Sequence, residues 1–528
     1  MPRTGRDHNA AGLELSDPGN VDLVPESFEF ISDLGVRRMA FNLDYSAAWD
    51  AAALARLDVQ RVAVAHVVAD IGDRDAQVAT IGRGAEHGVR FAGVFVNLHR
   101  AAARTEGEGP ANCSRHPLGG YSGGLGLPRV RCGQGRFRNG RGLSMSRQPV
   151  VIVGSGLAGY TVAREFRKLD VETPVLILSA DHGGFYSKPM LSNALATGKS
   201  PESILNANAA KMAEQLKMTI RPHSRVVAIE RSSNTLVLQD GEKLSYGQLV
   251  LALGADPIRL PLEGDGAEAI LSVNDLDDYR RFRAALAGKK EVVILGAGLI
   301  GCEFANDLVI AGYRVHVTDI SAWPLGRFLP RAGGAFLQSR LEAAGVVFHL
   351  GISVQRVERV DERLHLTLAN GETLETDVVL SAVGLRPRTA LAEAAAIGVN
   401  RGIVVDQSLQ TQDTNIYALG DCAEVAGRVL PFVMPIMHAA RALAATLTGT
   451  PTPARYPAMP VLVKTPACPT VVSPPDAGAQ GEWRIEEDKD GVKALFEDVE
   501  GNLLGYALLG AATKEKNALA AQLPPVME

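Results

Sequence analysis

Short runs of branched apolar residues, each broken by glycine, recur along the chain after residue 148. Residues 149–153, Pro-Val-Val-Ile-Val, are apolar on both faces, so they read as a buried strand of a parallel sheet. The run ends in Gly154-Ser155-Gly156-Leu157-Ala158-Gly159, and a helix-type stretch from Tyr160 to Leu169 follows. Val175–Leu178 reads as the next strand. The same order returns 142 residues later: strand Glu291–Leu295, loop Gly296-Ala297-Gly298-Leu299-Ile300-Gly301, helix Cys302–Ala311, then Gly312 as a stop. Tyr313–Thr318 is the strand after it, ending at Asp319. Upstream of all this, Val62–Val68 reads as a strand and Ala47–Leu57 as a helix.

Strand, Gly-x-Gly-x-x-Gly and helix in that order form a phosphate cradle. In the first copy Gly154 permits the tight turn, Gly156 lets backbone approach a pyrophosphate, and Gly159 lets the helix pack on the strand. Gly296, Gly298 and Gly301 repeat those roles. Each helix N-terminus offers free N–H groups and the positive end of its dipole. An acid at the end of the second strand holds ribose hydroxyls in such sites. Asp319 stands there in the second copy and favours NADH, because a carboxylate repels a 2′-phosphate. Arg327 nearby works against that preference. In the first copy the position reads Ser179-Ala180-Asp181, so the acid comes two residues late. Two cradles imply two nucleotides: a flavin held permanently and a nicotinamide that comes and goes. The fold class expected is α/β, with two Rossmann-like domains.

Composition changes the picture at the N-terminus. Residues 1–144 contain 17 arginines and no lysine, and 101–144 hold 11 glycines. Such a Gly/Arg-rich segment buries too little apolar surface to offset ordering entropy, and disorder is expected. Met145 then opens directly onto a strand. Either translation starts there and 1–144 is an upstream extension, or 1–144 is a separate module such as an interaction arm. The net charge of −5 argues against a nucleic-acid binder. No apolar run is long enough to span a membrane, and no secretory leader is evident, so a cytoplasmic protein is expected. Cys113, Cys132, Cys302, Cys422 and Cys468 form neither a CxxC metal site nor a disulfide framework; no metal is expected.

Thr411-Gln412-Asp413-Thr414-Asn415-Ile416-Tyr417-Ala418-Leu419-Gly420-Asp421-Cys422-Ala423 resembles the second FAD signature of the pyridine-nucleotide flavin reductases. Ser381-Ala382-Val383-Gly384-Leu385-Arg386-Pro387 resembles the glycine turn that leads their NAD domain back to the FAD domain. Three further elements resemble the rubredoxin–NAD⁺ reductases of the Pseudomonas type: Tyr186-Ser187-Lys188-Pro189-Met190-Leu191-Ser192, Gly301–Leu308, and Lys464-Thr465-Pro466-Ala467-Cys468-Pro469. The resemblance covers 146–528 and leaves 1–144 outside it.

That resemblance implies FAD in 146–250 joined to 378–450, NADH in 251–377, and a small C-terminal α+β domain, 451–528, over the flavin. FAD would be held by Gly154, Ser155, Gly156, Ala158 and Gly159, by Val226 at the adenine, by Asp421 at the ribityl chain, and by Lys188 and Lys464. NADH would be held by Gly296, Gly298, Ile300, Gly301, Glu303, Asp319 and Gly384. Lys188 and Glu303 are the expected catalytic pair, the lysine close to flavin N5 and the glutamate near the nicotinamide. Hydride would pass from NADH to FAD, and single electrons to rubredoxin. No CxxC occurs in the chain, so rubredoxin is a separate acidic iron protein, met by a basic rim for which Arg386, Arg388, Lys514 and Lys516 are candidates. The three cysteines within 146–528 are read as structural. A monomer is expected. Two other functions stay open: an NADH-dependent ferredoxin reductase of an oxygenase system, and a non-catalytic FAD/NAD redox sensor.

Overall fold

The computed structural model describes residues 148–528 and, upstream, two strands, Val64–Ile71 and Asp75–Gly82. Those two pair antiparallel, Val64 opposite Gly82 through Ile71 opposite Asp75. They belong to a unit distinct from the one that holds residues 148–528. The strand predicted at Val62–Val68 therefore starts two residues later and runs three further. The predicted helix Ala47–Leu57 and the Gly/Arg-rich segment 101–144 lie outside the described residues.

In the larger unit, the first parallel sheet has five strands in the order Ile416–Ala418, Gln248–Leu251, Val150–Val153, Val175–Leu178, Thr219–Arg221. Val150–Val153 is its centre and is buried on both faces, which is why the run carries no polar alternation. Helices Leu157–Leu169 and Val433–Leu447 pack against each other in the core of this domain, which holds Tyr160, Ala163, Ala440 and Leu443 among others. The second sheet has four parallel strands in the order Val346–Leu350, Arg314–Asp319, Glu291–Leu295, Val378–Ser381. Val378–Ser381, assigned from sequence to the returning FAD segment, thus completes the NAD sheet. Val378 and Leu380 pack on one face of that sheet and Val379 on the other. The crossing between domains comes just after it, where Leu385–Pro387 pairs antiparallel with Ala255–Pro257.

Each parallel sheet is interrupted in sequence, before its last strand or strands, by a three-stranded antiparallel meander: Val226–Glu230, Thr235–Leu238 and Lys243–Ser245 in the first domain, Val354–Val360, Arg363–Leu368 and Thr373–Thr376 in the second. The C-terminal domain is a five-stranded antiparallel sheet in the order Val461–Val463, Thr470–Ser473, Leu503–Gly510, Gly491–Glu497, Glu482–Glu487, with two short helical turns, Ala511–Glu515 and Lys516–Ala520. Its core is continuous with that of the NAD domain: Val472, Val492, Ala494, Ala507 and Leu509 share one cluster with Leu337 and Leu341 of helix Arg331–Ala343. Leu191, Ala194 and Ile204, from a loop of the first domain, enter the same cluster. The end of the chain returns to the FAD domain, where Met527 and Tyr456 exchange backbone hydrogen bonds. Among the described residues, no helix is long and apolar enough to cross a membrane.

Candidate active site

Both glycine loops have the geometry of a phosphate cradle. Gly154 and Gly296 have φ of +117° and +104°, in the region that side chains rarely adopt. A methyl group on Gly159 would overlap the Gly154 carbonyl oxygen, and one on Gly301 would overlap that of Gly296. Those two glycines are therefore where helix meets strand. Gly156 and Gly298 differ: nothing lies within 4 Å of where a Cβ would stand. Each is the N-cap of its helix, Leu157–Leu169 or Leu299–Ile310, and neither helix has a side-chain cap. Unclaimed N–H groups beside open space fit a dinucleotide pyrophosphate at both loops. Ser155 and Ala158 are buried within the first loop, whereas Ile300 stands 45% exposed at the second.

The acids are placed differently in the two domains. Asp319 ends its strand, accepting the Ala297 N–H at 2.6 Å and the Ser321 N–H at 2.7 Å, which fixes it beside the glycine loop. Asp181 accepts from Ser179 Oγ at 2.5 Å, Ser155 Oγ at 3.3 Å and the Gly183 N–H at 2.8 Å. Burial opposes its ionisation, but these hydrogen bonds and nearby His182 outweigh burial and hold the carboxyl below its usual range. Asp181 is thus tied to the first loop through two serines. Val226 begins its strand two residues after Ser224, whose N–H reaches the Ser179 carbonyl at 2.6 Å. Gly420 brings the far end of the domain to the same place, since a Cβ there would stand 2.8 Å from Ala158 Cβ. Asp421, next in sequence, is half-buried.

Lys188 and Glu303 do not pair with each other. Lys188 Nζ donates to Asn274 Oδ1 at 2.7 Å, and Asn274 Nδ2 donates to the Ala255 carbonyl at 2.8 Å. Burial lowers the Lys188 pKa, opposed mainly by the Asp421 carboxylate. Glu303 is 3% exposed and pairs with Lys464: it accepts from the Lys464 ammonium, from the Lys464 N–H at 2.9 Å and from Ser192 Oγ at 2.5 Å. The two residues expected to act as a pair, Lys188 and Glu303, thus have different partners, and the ion pair of Glu303 is with Lys464. The reason is topological: the C-terminal domain shares its core with the NAD domain and delivers its lysine to the helix that carries Glu303.

Reasoning from sequence missed Asn274, Asn306 and Asp307 as site residues and quoted Ser192 without a role. Glu303, Asn306 and Asp307 are three polar side chains in a helix whose stretch Gly301–Leu308 is buried throughout, and that contrast was a readable signal. Gly384, at φ +120°, makes the turn between Val378–Ser381 and Leu385–Pro387, and its carbonyl accepts the Ile258 N–H at 3.0 Å. Of the rim candidates, Arg388 is engaged with Asp256 at 2.6 Å, while Arg386, Lys514 and Lys516 are exposed. Cys302, Cys422 and Cys468 are free and buried; burial pushes all three thiols up, Cys422 to about 11. Such thiols are poor nucleophiles, which suits a structural role.

Comparison with known proteins agrees with this geometry. Residues 148–445 match the pyridine nucleotide-disulphide oxidoreductase family model, and residues 453–523 match the rubredoxin binding C-terminal domain. The chain is 50% identical over 384 residues to a rubredoxin-NAD(+) reductase of Alcanivorax borkumensis, covering 72% of this chain and 99% of that one. It is 48% identical to the rubredoxin-NAD(+) reductase of Acinetobacter baylyi, over 71% of this chain and 98% of that one. Among solved structures, the ferredoxin reductase for the CYP199A2 system from Rhodopseudomonas palustris superposes with a TM-score of 0.65 at 27% identity, covering 72% of this chain and 96% of that one. With two glycine loops on two parallel sheets and a family model matching residues 148–445, the chain belongs to the pyridine nucleotide-disulphide oxidoreductase family.

Proposed function

We propose that this protein takes hydride from NADH onto tightly held FAD and passes the electrons singly to rubredoxin. One observation carries the reading: the two-cradle body continues into a C-terminal domain of the rubredoxin-binding family, and an ion pair, Glu303 with Lys464, joins the two. The relatives named rubredoxin-NAD(+) reductase are matched over nearly their whole length. FAD, when bound, supplies the chemistry that turns a two-electron donor into a one-electron source.

The protein's own residues bind, orient and supply charge. Gly154, Ser155, Gly156, Ala158 and Gly159 would hold the FAD pyrophosphate at the helix N-terminus, with Val226 at the adenine and Asp421 at the ribityl chain. Gly296, Gly298, Ile300 and Gly301 would receive that of NADH, with Asp319 at its ribose and Gly384 turning the chain beneath. Lys188, fixed by Asn274, puts a positive charge in a part-buried place where it interacts more strongly than in water. Glu303 orients Lys464 with two contacts to the same residue, one to its ammonium and one to its backbone. Buried free thiols at 302, 422 and 468 and the use of NADH support a cytoplasmic site.

The ferredoxin alternative has its own support in solved relatives, at 25% and 27% identity, whose names refer to putidaredoxin and ferredoxin. The match of 453–523 favours rubredoxin. That segment holds ten carboxylates and seven basic residues, so attraction of an acidic partner must be local, not domain-wide. The test is anaerobic NADH-driven bleaching of oxidised rubredoxin, compared with a [2Fe–2S] ferredoxin at equal concentration. Rubredoxin is expected to react at least about tenfold faster, equivalent to ~1.4 kcal/mol of discrimination. Equal rates, or a preference for ferredoxin, would overturn the assignment of the acceptor.

A further inference from the structure

We infer that Asp307, with Asn306 beside it, is a positioning residue for hydride transfer, locking the helix that begins at the NADH cradle to the strip of chain that carries Lys188. The inference rests on the function proposed above and deepens it. Glu303, Asn306 and Asp307 stand at i, i+3 and i+4 of helix Leu299–Ile310 and so share one face. All three are at most 3% exposed. Asp307 accepts the Leu195 N–H at 3.1 Å through one oxygen and the Ala196 N–H at 2.8 Å through the other. Glu303 grips the same strip at Ser192, 2.5 Å away. On the other side, Asn306 Oδ1 accepts the Ala467 N–H at 3.0 Å, and Glu303 accepts the Lys464 N–H at 2.9 Å. One helix turn therefore holds two lysine-bearing strips, each through two side chains, while its own N-terminus at Gly298 is the phosphate cradle. A displacement of this helix would move nicotinamide against both lysines together.

The residue types fit positioning better than packing. Burial raises the Asp307 pKa against the pull of its two N–H partners, so keeping a charge here opposes folding. A carboxylate has two acceptor oxygens and no donor, which two converging N–H groups require. Asparagine at 307 would set an NH₂ against one of them. Asn306 shows the complementary choice, because its buried Nδ2 has no hydrogen-bond partner. Aspartate there would remove that orphan donor but add a third carboxylate to the face that holds Lys464.

The test is Asp307→Asn in the full-length holoprotein, followed by anaerobic stopped-flow of each half-reaction. The limiting rate of flavin reduction by NADH is expected to fall about tenfold or more, because small misplacement of reacting groups is costly. The NADH dissociation constant and the rate of reoxidation by rubredoxin are expected to stay within about twofold of wild type, since neither depends on this alignment. An unchanged reduction rate overturns the inference. So does a parallel fall in both half-reactions with loss of FAD, which marks a merely structural role. If Asp307→Asn does not fold, Asn306→Ala measured in the same way decides: a slowed limiting reduction supports the inference, and an unchanged one overturns it. Wild type reduced by NADH but not reoxidised by rubredoxin would sink the acceptor assignment and leave the reductive comparison decisive. Wild type that NADH does not reduce overturns both.

Discussion

Gly298 is a position where one methyl group should separate folding from binding. Its backbone is extended, with φ −76° and ψ −170°, and alanine adopts that conformation freely. No atom lies within 4 Å of the place its Cβ would take. Gly298→Ala should therefore leave stability unchanged or raise it by about 0.4–1 kcal/mol, because alanine restricts the unfolded chain. The same methyl would stand at the uncapped N-terminus of helix Leu299–Ile310. A phosphate held there makes charge-assisted hydrogen bonds, each worth about 1.5–3 kcal/mol. Losing one of them should weaken NADH binding by about 10- to 150-fold. Equilibrium titration of the FAD-loaded variant with NAD(H), together with its melting temperature and flavin content, measures all three quantities. Gly301→Ala is the contrast, since its Cβ would overlap the Gly296 carbonyl oxygen. That variant should lose stability, by at least about 1–3 kcal/mol. A Gly298→Ala protein that binds NADH as tightly as wild type, or that melts as early as Gly301→Ala, would refute the cradle geometry.

Lys464→Met strands the buried Glu303 carboxylate and should cost about 3 kcal/mol in denaturant melts, the low end for a broken buried pair, because a quarter of the Lys464 side chain reaches water. Adding Glu303→Gln should recover most of that loss, and strictly additive losses would show that the two are not coupled. Lys188 binds its proton less tightly in the fold than in the unfolded chain, so its contribution to stability rises with pH between its lowered folded value and 10.5. Its positive charge is correspondingly lost at a lower pH than that of a free lysine, and flavin reduction should show an alkaline limb below 10.5. Lys188→Arg, which stays charged, should remove that limb; a limb that persists points to another group. Cys302, Cys422 and Cys468 should resist a thiol reagent in the native protein and react after denaturation, as read by peptide mapping. Rapid native labelling of any of them would contradict the burial described.

What the sequence disclosed is what local physics determines. The two cradles were legible because a positive-φ turn, a backbone approach and a helix start all fall within six residues, and only glycine satisfies them. Helix starts were read late, at Tyr160 and Cys302 and not at Leu157 and Leu299, because the first turn lies inside the glycine motif itself. The strand Val378–Ser381 was assigned to the wrong domain because a buried parallel strand looks the same whichever sheet it joins. The partner of Glu303 was illegible for a different reason. Lys464 lies 161 residues away, and Asn274 lies 86 residues from Lys188. No local pattern encodes such distances; they follow from the C-terminal sheet docking on the NAD domain through a shared core. The charge on Asp181 was legible, but its serine network was not, since Ser155 and Ser179 meet only once the two strands are paired.

Double-mixing stopped-flow follows electrons from NADH through bound FAD to rubredoxin in a single experiment. Anaerobic holoprotein is first mixed with one equivalent of NADH and then, once flavin absorbance has bleached, with oxidised rubredoxin. Flavin colour is expected to return as rubredoxin colour is lost, with two rubredoxins reduced per NADH consumed. Flavin that stays reduced in the presence of oxidised rubredoxin, or rubredoxin that bleaches without NADH having reduced the flavin, would contradict that route.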